Sequence, residues 1–122
     1  LLDSLRGRGF VLGIVSNWSE ALPAILAGLG VAERVDFCLV SALEGTEKPE
    51  PEIFRRAVER SGKTPERTVH AGNDVVLDVR GACAAGIIPV LVDHGHRAGG
   101  PPDIPRVADL RELEAWILEQ AT

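Results

Sequence analysis

Cysteine is scarce here and methionine is missing: the 122 residues hold two Cys and no Met. Cys38 and Cys83 both sit in apolar patterns, so the reading is two buried free thiols in a reducing cytoplasm rather than a disulfide scaffold. Positive charge is also in deficit, with 13 Lys and Arg against 18 Asp and Glu, a net charge of −5 and a pI near 5.1. That balance argues against nucleic acid or an acidic membrane surface as the main partner. No apolar run approaches the ~20 residues of a membrane span. The first ten residues are too charged for a secretory signal. There is no internal repeat and no low-complexity segment. Nothing upstream of Ser16 resembles an activated nucleophile.

What is present is ordinary in bulk, with 45% hydrophobic and 25% charged residues. A chain of this length is one domain, 1–122, able to bury roughly two-thirds of its unfolded surface. Leu1, Leu2 and Leu5 fall at helical spacing and end at Arg6-Gly7-Arg8-Gly9, the tail of a helix. The continuous apolar run Phe10 to Val15 predicts a parallel strand covered on both faces. Leu22, Ile25, Leu26 and Leu29 predict the buried stripe of a helix with Pro23 in its first turn. Val35 to Val40 reads as a second strand. Pro51 then suits the first position of a helix carrying Ile53, Phe54, Ala57 and Val58 and ending at Gly62.

Thr68 to Ala71 is a third strand. Val75, Val76, Val79, Ala82 and Cys83 mark one face of the helix after it. Ile87 to Val92 is a fourth strand. Asp93 to Arg106, with three Gly and three Pro, reads as a loop. Asp109 caps a last helix built on Leu110, Leu113 and Ile117. Strands alternating with helices predict an α/β class with a parallel sheet, Rossmann-like and doubly wound, with helices on both faces. Ligands of such sheets bind beyond the carboxyl ends of the strands.

Three polar stretches begin at those ends or in the loops beyond them. Ser16-Asn17 offers a hydroxyl and helix-start amides to an anion, or simply a helix cap. Lys48 precedes Pro49-Glu50-Pro51, so its ammonium projects from a stiffened turn, able to neutralise a phosphate or hold a carboxylate ionised. Gly72-Asn73-Asp74 with Asp78 places acids at a helix start, with Asp74 and Asp78 one turn apart. Their oxygens suit magnesium, while capping explains one acid and the whole set less well. His70, in an apolar strand, reads as a satisfied core histidine rather than a base. His94 and His96 lack a third metal ligand. Trp18 either shapes a pocket or packs locally.

In this order and spacing the stretches resemble the haloacid dehalogenase superfamily of phosphatases and hydrolases. Ser16-Asn17 matches its second motif. Gly45-Thr46-Glu47-Lys48-Pro49-Glu50-Pro51-Glu52-Ile53-Phe54 matches the lysine motif closely. Gly72-Asn73-Asp74-Val75-Val76-Leu77-Asp78 followed by Gly81-Ala82 matches the fourth. The resemblance implies Lys48 as a catalytic group, Ser16, Asn17 and Lys48 as phosphate-binding groups, and Asn73, Asp74 and Asp78 as holders of Mg²⁺. It implies transfer of a phosphoryl group from a small phosphorylated substrate to an aspartate, then hydrolysis of the aspartyl phosphate.

Two departures qualify that expectation. The family's Asp-x-Asp strand, and the cap domain that usually follows it, do not occur in the sequence. The expectation is therefore a partial core that is inactive alone, with the central strand of the sheet wanting. Two interior edges would then close on each other or take a strand from another chain, since buried unpaired backbone groups cost ~1–3 kcal/mol each. In addition, Asn73 stands where an Asp is usual, which removes a charge from the metal site. A metal-independent dehalogenase-type hydrolase and a non-catalytic anion- or partner-binding module are the alternatives.

Overall fold

Strands and helices interleave along the chain in the computed structural model, which describes residues 1–93 and 103–121. Helix α1 (Leu2–Gly7) leads to strand β1 (Gly13–Ser16), helix α2 (Leu22–Gly28) and strand β2 (Phe37–Val40). A short helix α3 (Ser41–Glu44) and the long α4 (Pro51–Ser61) precede strand β3 (Val69–Gly72). A π-helical segment (Val75–Arg80) runs into α5 (Gly81–Ala84), followed by β4 (Ile88–Val92), β5 (Arg106–Val107) and α6 (Leu110–Gln120). All strand pairings are parallel, in the orders β1-β2 and β3-β4-β5. The fold is α/β and Rossmann-like.

Alternation along the strands divides the core into two layers. Leu39, with Phe37 and Val15 beside it, joins Ile53, Phe54, Ala57 and Val58 of α4, and Ala82 and Ile87. On the other side Val90, Val92 and Val107, with Val69 and Ala71, pack on Leu113, Trp116 and Ile117 of α6. Helices thus cover both faces around β3 and β4. His70 and Gly72 alternate with Val69 and Ala71, so they point toward the α4 side, where the polar site lies.

Several sequence-based boundaries shift for physical reasons. The first strand starts at Gly13, not Phe10, because Leu12 N–H donates to the Asp36 carboxylate at 2.8 Å while Asp36 N–H donates back to the Leu12 carbonyl at 2.7 Å. A side chain replaces the ladder there. Helix α2 corrects the expected buried stripe: none of its residues is buried, and Ile25 and the following Leu29 are exposed, Leu29 at 72%. The short β5 lies partly within the expected loop. Cys83 is exposed and Cys38 only partly buried, so the expectation of two buried thiols fails. His94 and His96 lie outside the described residues.

Between the two half-sheets, among the described residues, β1 pairs only with β2, and β3 only with β4. The edges have not closed on each other. The space beside them is a cavity of about 690 Å³ whose lining includes Ile14 of β1, Ala71 and Gly72 of β3, and Leu2 and Leu113. A second cavity of about 420 Å³, bordered by Leu12 and Val69, lies at the amino ends of the same two strands.

Candidate active site

The polar groups gather at the carboxyl ends of β1 and β3. After β2, α3 ends at Gly45, whose φ of 72° lies in the left-handed region that glycine tolerates. The chain then turns through Thr46 and Glu47 to Lys48. Asn17 fixes that turn from the end of β1. Its side-chain N–H donates to the Lys48 carbonyl at 3.0 Å, and its carboxamide oxygen accepts from Lys48 N–H at 2.9 Å. The Asn17 side chain therefore holds the lysine loop and is not itself open to a ligand. Lys48–Pro49 is a cis peptide, and Pro51 opens α4 at its first position.

From this anchored turn the Lys48 ammonium reaches Asp78 Oδ1 at 2.7 Å, with both side chains largely removed from water. Asp78 arrives from the π-helical segment, in which Val79 N–H donates to the Asp74 carbonyl five residues back. Its carboxylate lies against Gly72, where a methyl group would overlap it. Gly72 thus permits the close approach. Asp78 Oδ2 accepts from Asp74 N–H at 3.1 Å, and Oδ1 also takes His70 Nε2 at 2.9 Å. Burial would push the Asp78 carboxyl up, but the hydrogen bonds from His70 and Lys48 and the charge of the Lys48 ammonium outweigh it and bring it down to about 2.

Asp74 does a different job. It caps the following segment, its Oδ1 accepting from Val76 N–H at 2.9 Å and Leu77 N–H at 2.8 Å. The two acids that looked like a facing pair on one helix are therefore separated in function, one exposed cap and one buried ion-pair partner. Asn73 is exposed beside Asp74. Ser16, half-buried, ends β1 next to Asn17. Trp18 is 57% exposed, while Ser41 Oγ holds its backbone on both sides, at 3.0 and 3.2 Å.

Among the described residues, no three His, Cys, Asp or Glu side chains form a ready-made metal centre. Both Asp78 oxygens are engaged. The donors left over are the Asn73 carboxamide oxygen and Asp74 Oδ2, on exposed neighbouring residues. That set suits a hydrated ion such as Mg²⁺, which keeps several waters and takes one or two carboxylates.

His70 is the group whose part the residue pattern undersold. It is a satisfied, half-buried histidine, as its apolar strand implies, but the partner that satisfies it is the central carboxylate. The usable signal was the strand alternation that puts residues 70 and 72 on one face, under the helix that brings Asp78 back over them.

A family model described as haloacid dehalogenase-like hydrolase matches residues 1–86. The chain is 41% identical over 91 residues to haloacid dehalogenase-like hydrolase domain-containing protein 3 of Mus musculus, covering 75% of this chain and 36% of that protein. It is 39% identical over 116 residues to a phosphoserine phosphatase of Thermus thermophilus, covering 92% of this chain and 46% of that enzyme. The crystal structure of a HAD phosphatase from Thermococcus onnurineus superposes with a TM-score of 0.87 at 28% identity, over 95% of this chain and 54% of that one. The chain thus spans less than half the length of these two curated relatives. With a family model matching most of its residues, it belongs to the haloacid dehalogenase-like hydrolases.

Proposed function

We propose that this chain is the phosphate-binding part of a HAD-type phosphatase core acting on small phosphorylated metabolites. The observation that carries the reading is the junction of three distant stretches at one end of the strands. Asn17 grips the Lys48 backbone at 2.9 and 3.0 Å, and Lys48 in turn meets Asp78 at 2.7 Å. A fixed ammonium, on a loop gripped by the residue that follows Ser16, suits a phosphoryl group whose charge must be stabilised in place. The phosphatase relatives support the same substrate class.

In this reading the nucleophile is an aspartate on an extended segment that occupies the space between β1 and β3, from a longer protein or from another chain. Its carboxylate attacks phosphorus, the ester oxygen leaves, and water then cleaves the acyl phosphate. Lys48 holds the anionic carboxylate and phosphoryl oxygens together. The Ser16 hydroxyl donates to a phosphoryl oxygen, with the Asn17 backbone N–H beside it. Mg²⁺ held by Asn73 and Asp74 would neutralise phosphoryl charge.

The test is turnover of p-nitrophenyl phosphate. The 122-residue chain alone should show none, because an ammonium and a hydroxyl cannot replace a covalent path. With the nucleophile segment present, turnover should appear. Lys48→Ala should then lower it by about a hundredfold or more, the scale of one lost charge-stabilising group. Near-normal turnover of Lys48→Ala would remove the reading. The neutral Asn73 favours one second reading, a metal-independent dehalogenase-type hydrolase. Chelator-resistant release of halide from a 2-haloacid, without phosphatase activity, would select it.

A further inference from the structure

The geometry around Asp78 points to His70 as a positioning residue, and we infer that it fixes the carboxylate from which Lys48 is presented to the bound anion. Charge balance does not require it, because the Lys48 ammonium at 2.7 Å already neutralises Asp78. Yet His70 Nε2 comes to the same oxygen at 2.9 Å. Oδ2 is held by Asp74 N–H at 3.1 Å, and Gly72 lies against the carboxyl group. Together these contacts fix a torsion that is ordinarily broad for an aspartate. Lys48 cannot fix it alone, since a flexible four-carbon stem follows the carboxylate wherever it turns.

His70 can do so because its own ring is fixed. It sits on β3, paired to Pro89 of β4 in the ladder, and meets the Phe54 ring edge-on with centroids 4.9 Å apart at 81°. Phe54 is fully buried in the α4 layer, and its ring lies where a methyl on Gly81 would have to go. The hydrophobic core therefore sets the imidazole, the imidazole sets Asp78, and Asp78 sets Lys48. The neutral imidazole must carry its hydrogen on Nε2 to donate to the carboxylate, which leaves Nδ1 as the bare nitrogen.

The activity arm of the test rests on the proposed phosphatase reading; the tautomer arm does not. On the 122-residue chain, long-range ¹H–¹⁵N spectra of neutral His70 should show the Nε2–H tautomer, and an Nδ1–H tautomer would overturn the inference. In the catalytically complete protein, with p-nitrophenyl phosphate as substrate, His70→Ala should lower kcat by about ten- to a hundredfold, the cost of misplacing a reacting group by about an ångström. KM should change far less, because Ser16 and Lys48 still bind the anion. His70→Gln, whose carboxamide N–H can reach the same oxygen, should recover most of kcat. Equal losses in both variants, or unchanged kcat in His70→Ala, would reduce the ring to a space filler. Thermal melts of each variant separate misfolding from misplacement. If His70→Ala fails to fold, the Gln variant and the tautomer decide. If the complete wild-type protein hydrolyses no phosphoester, the proposed function fails, and the tautomer still decides on His70.

Discussion

Asp78 is the group on which the Lys48 ion pair and the hydrogen bonds of His70 and Asp74 N–H converge. Its carboxyl falls from an ordinary 3.8 to about 2 in the folded protein. A carboxylate depressed on folding stabilises above its unfolded value and loses that contribution as pH falls through the folded one. The window is therefore about pH 4 down to about pH 2, and the amount is about 2 kcal/mol by the usual conversion. Urea unfolding at stepped pH should show that loss in the wild-type chain and a smaller one in Asp78→Asn, which is already weakened at neutral pH. Gly72→Ala tests the same group sterically. The added methyl overlaps the Asp78 carboxyl group, so the ion pair with Lys48 should break and stability should fall. Asn73 offers the opposite experiment. Asn73→Asp restores a charge beside Asp74, so magnesium affinity by isothermal titration should rise about tenfold, the scale of one added carboxylate near a hydrated ion.

Among the elements, α4 was readable and α2 was not. Helix α4 carries its apolar residues at helical spacing between Pro51 and Gly62, and Ile53, Phe54, Ala57 and Val58 are all buried. Pattern, start signal and stop signal agree there. Helix α2 has an equally clear stripe, but none of its residues is buried and Ile25 is exposed, and periodicity alone cannot say how fully a stripe is covered. The segment after β3 failed differently. An ordinary helix puts Asp74 and Asp78 on one face, whereas the π-helical winding and the cap turn their carboxylates to separate tasks. Local hydrogen bonding decided that, and spacing carries no record of it. The polar stretches were legible because strand ends in a parallel sheet share one side of the molecule. Asp74 also permits two functions to be separated at this scale. Asp74→Ala should cost about 1 kcal/mol of stability through the lost cap. Asp74→Asn keeps the cap while losing the charge, so it should preserve the melting temperature and still weaken magnesium binding.

For the whole molecule, the open question is how β1 and β3 coexist as unpaired neighbours. Among the described residues each strand is bonded on one side only, and cavities of about 690 and 420 Å³ border the two edges. Backbone groups facing such a space stay hydrated or bear a penalty of ~1–3 kcal/mol each, against a domain stability of only about 5–15 kcal/mol. Unpaired edges are also the usual template for strand addition. The chain alone should therefore exchange the slot-facing amides of β1 and β3 rapidly, while amides bonded within the β3-β4 ladder remain protected. An extended peptide of alternating apolar residues ending in an aspartate, added in trans, should slow the edge amides and raise the melting temperature in proportion to occupancy. A scrambled peptide of the same composition should do neither. If the edge amides of the unliganded chain are already as protected as those of the β3-β4 ladder, the slot is closed in solution. The nucleophile would then have to reach Lys48 by a different route.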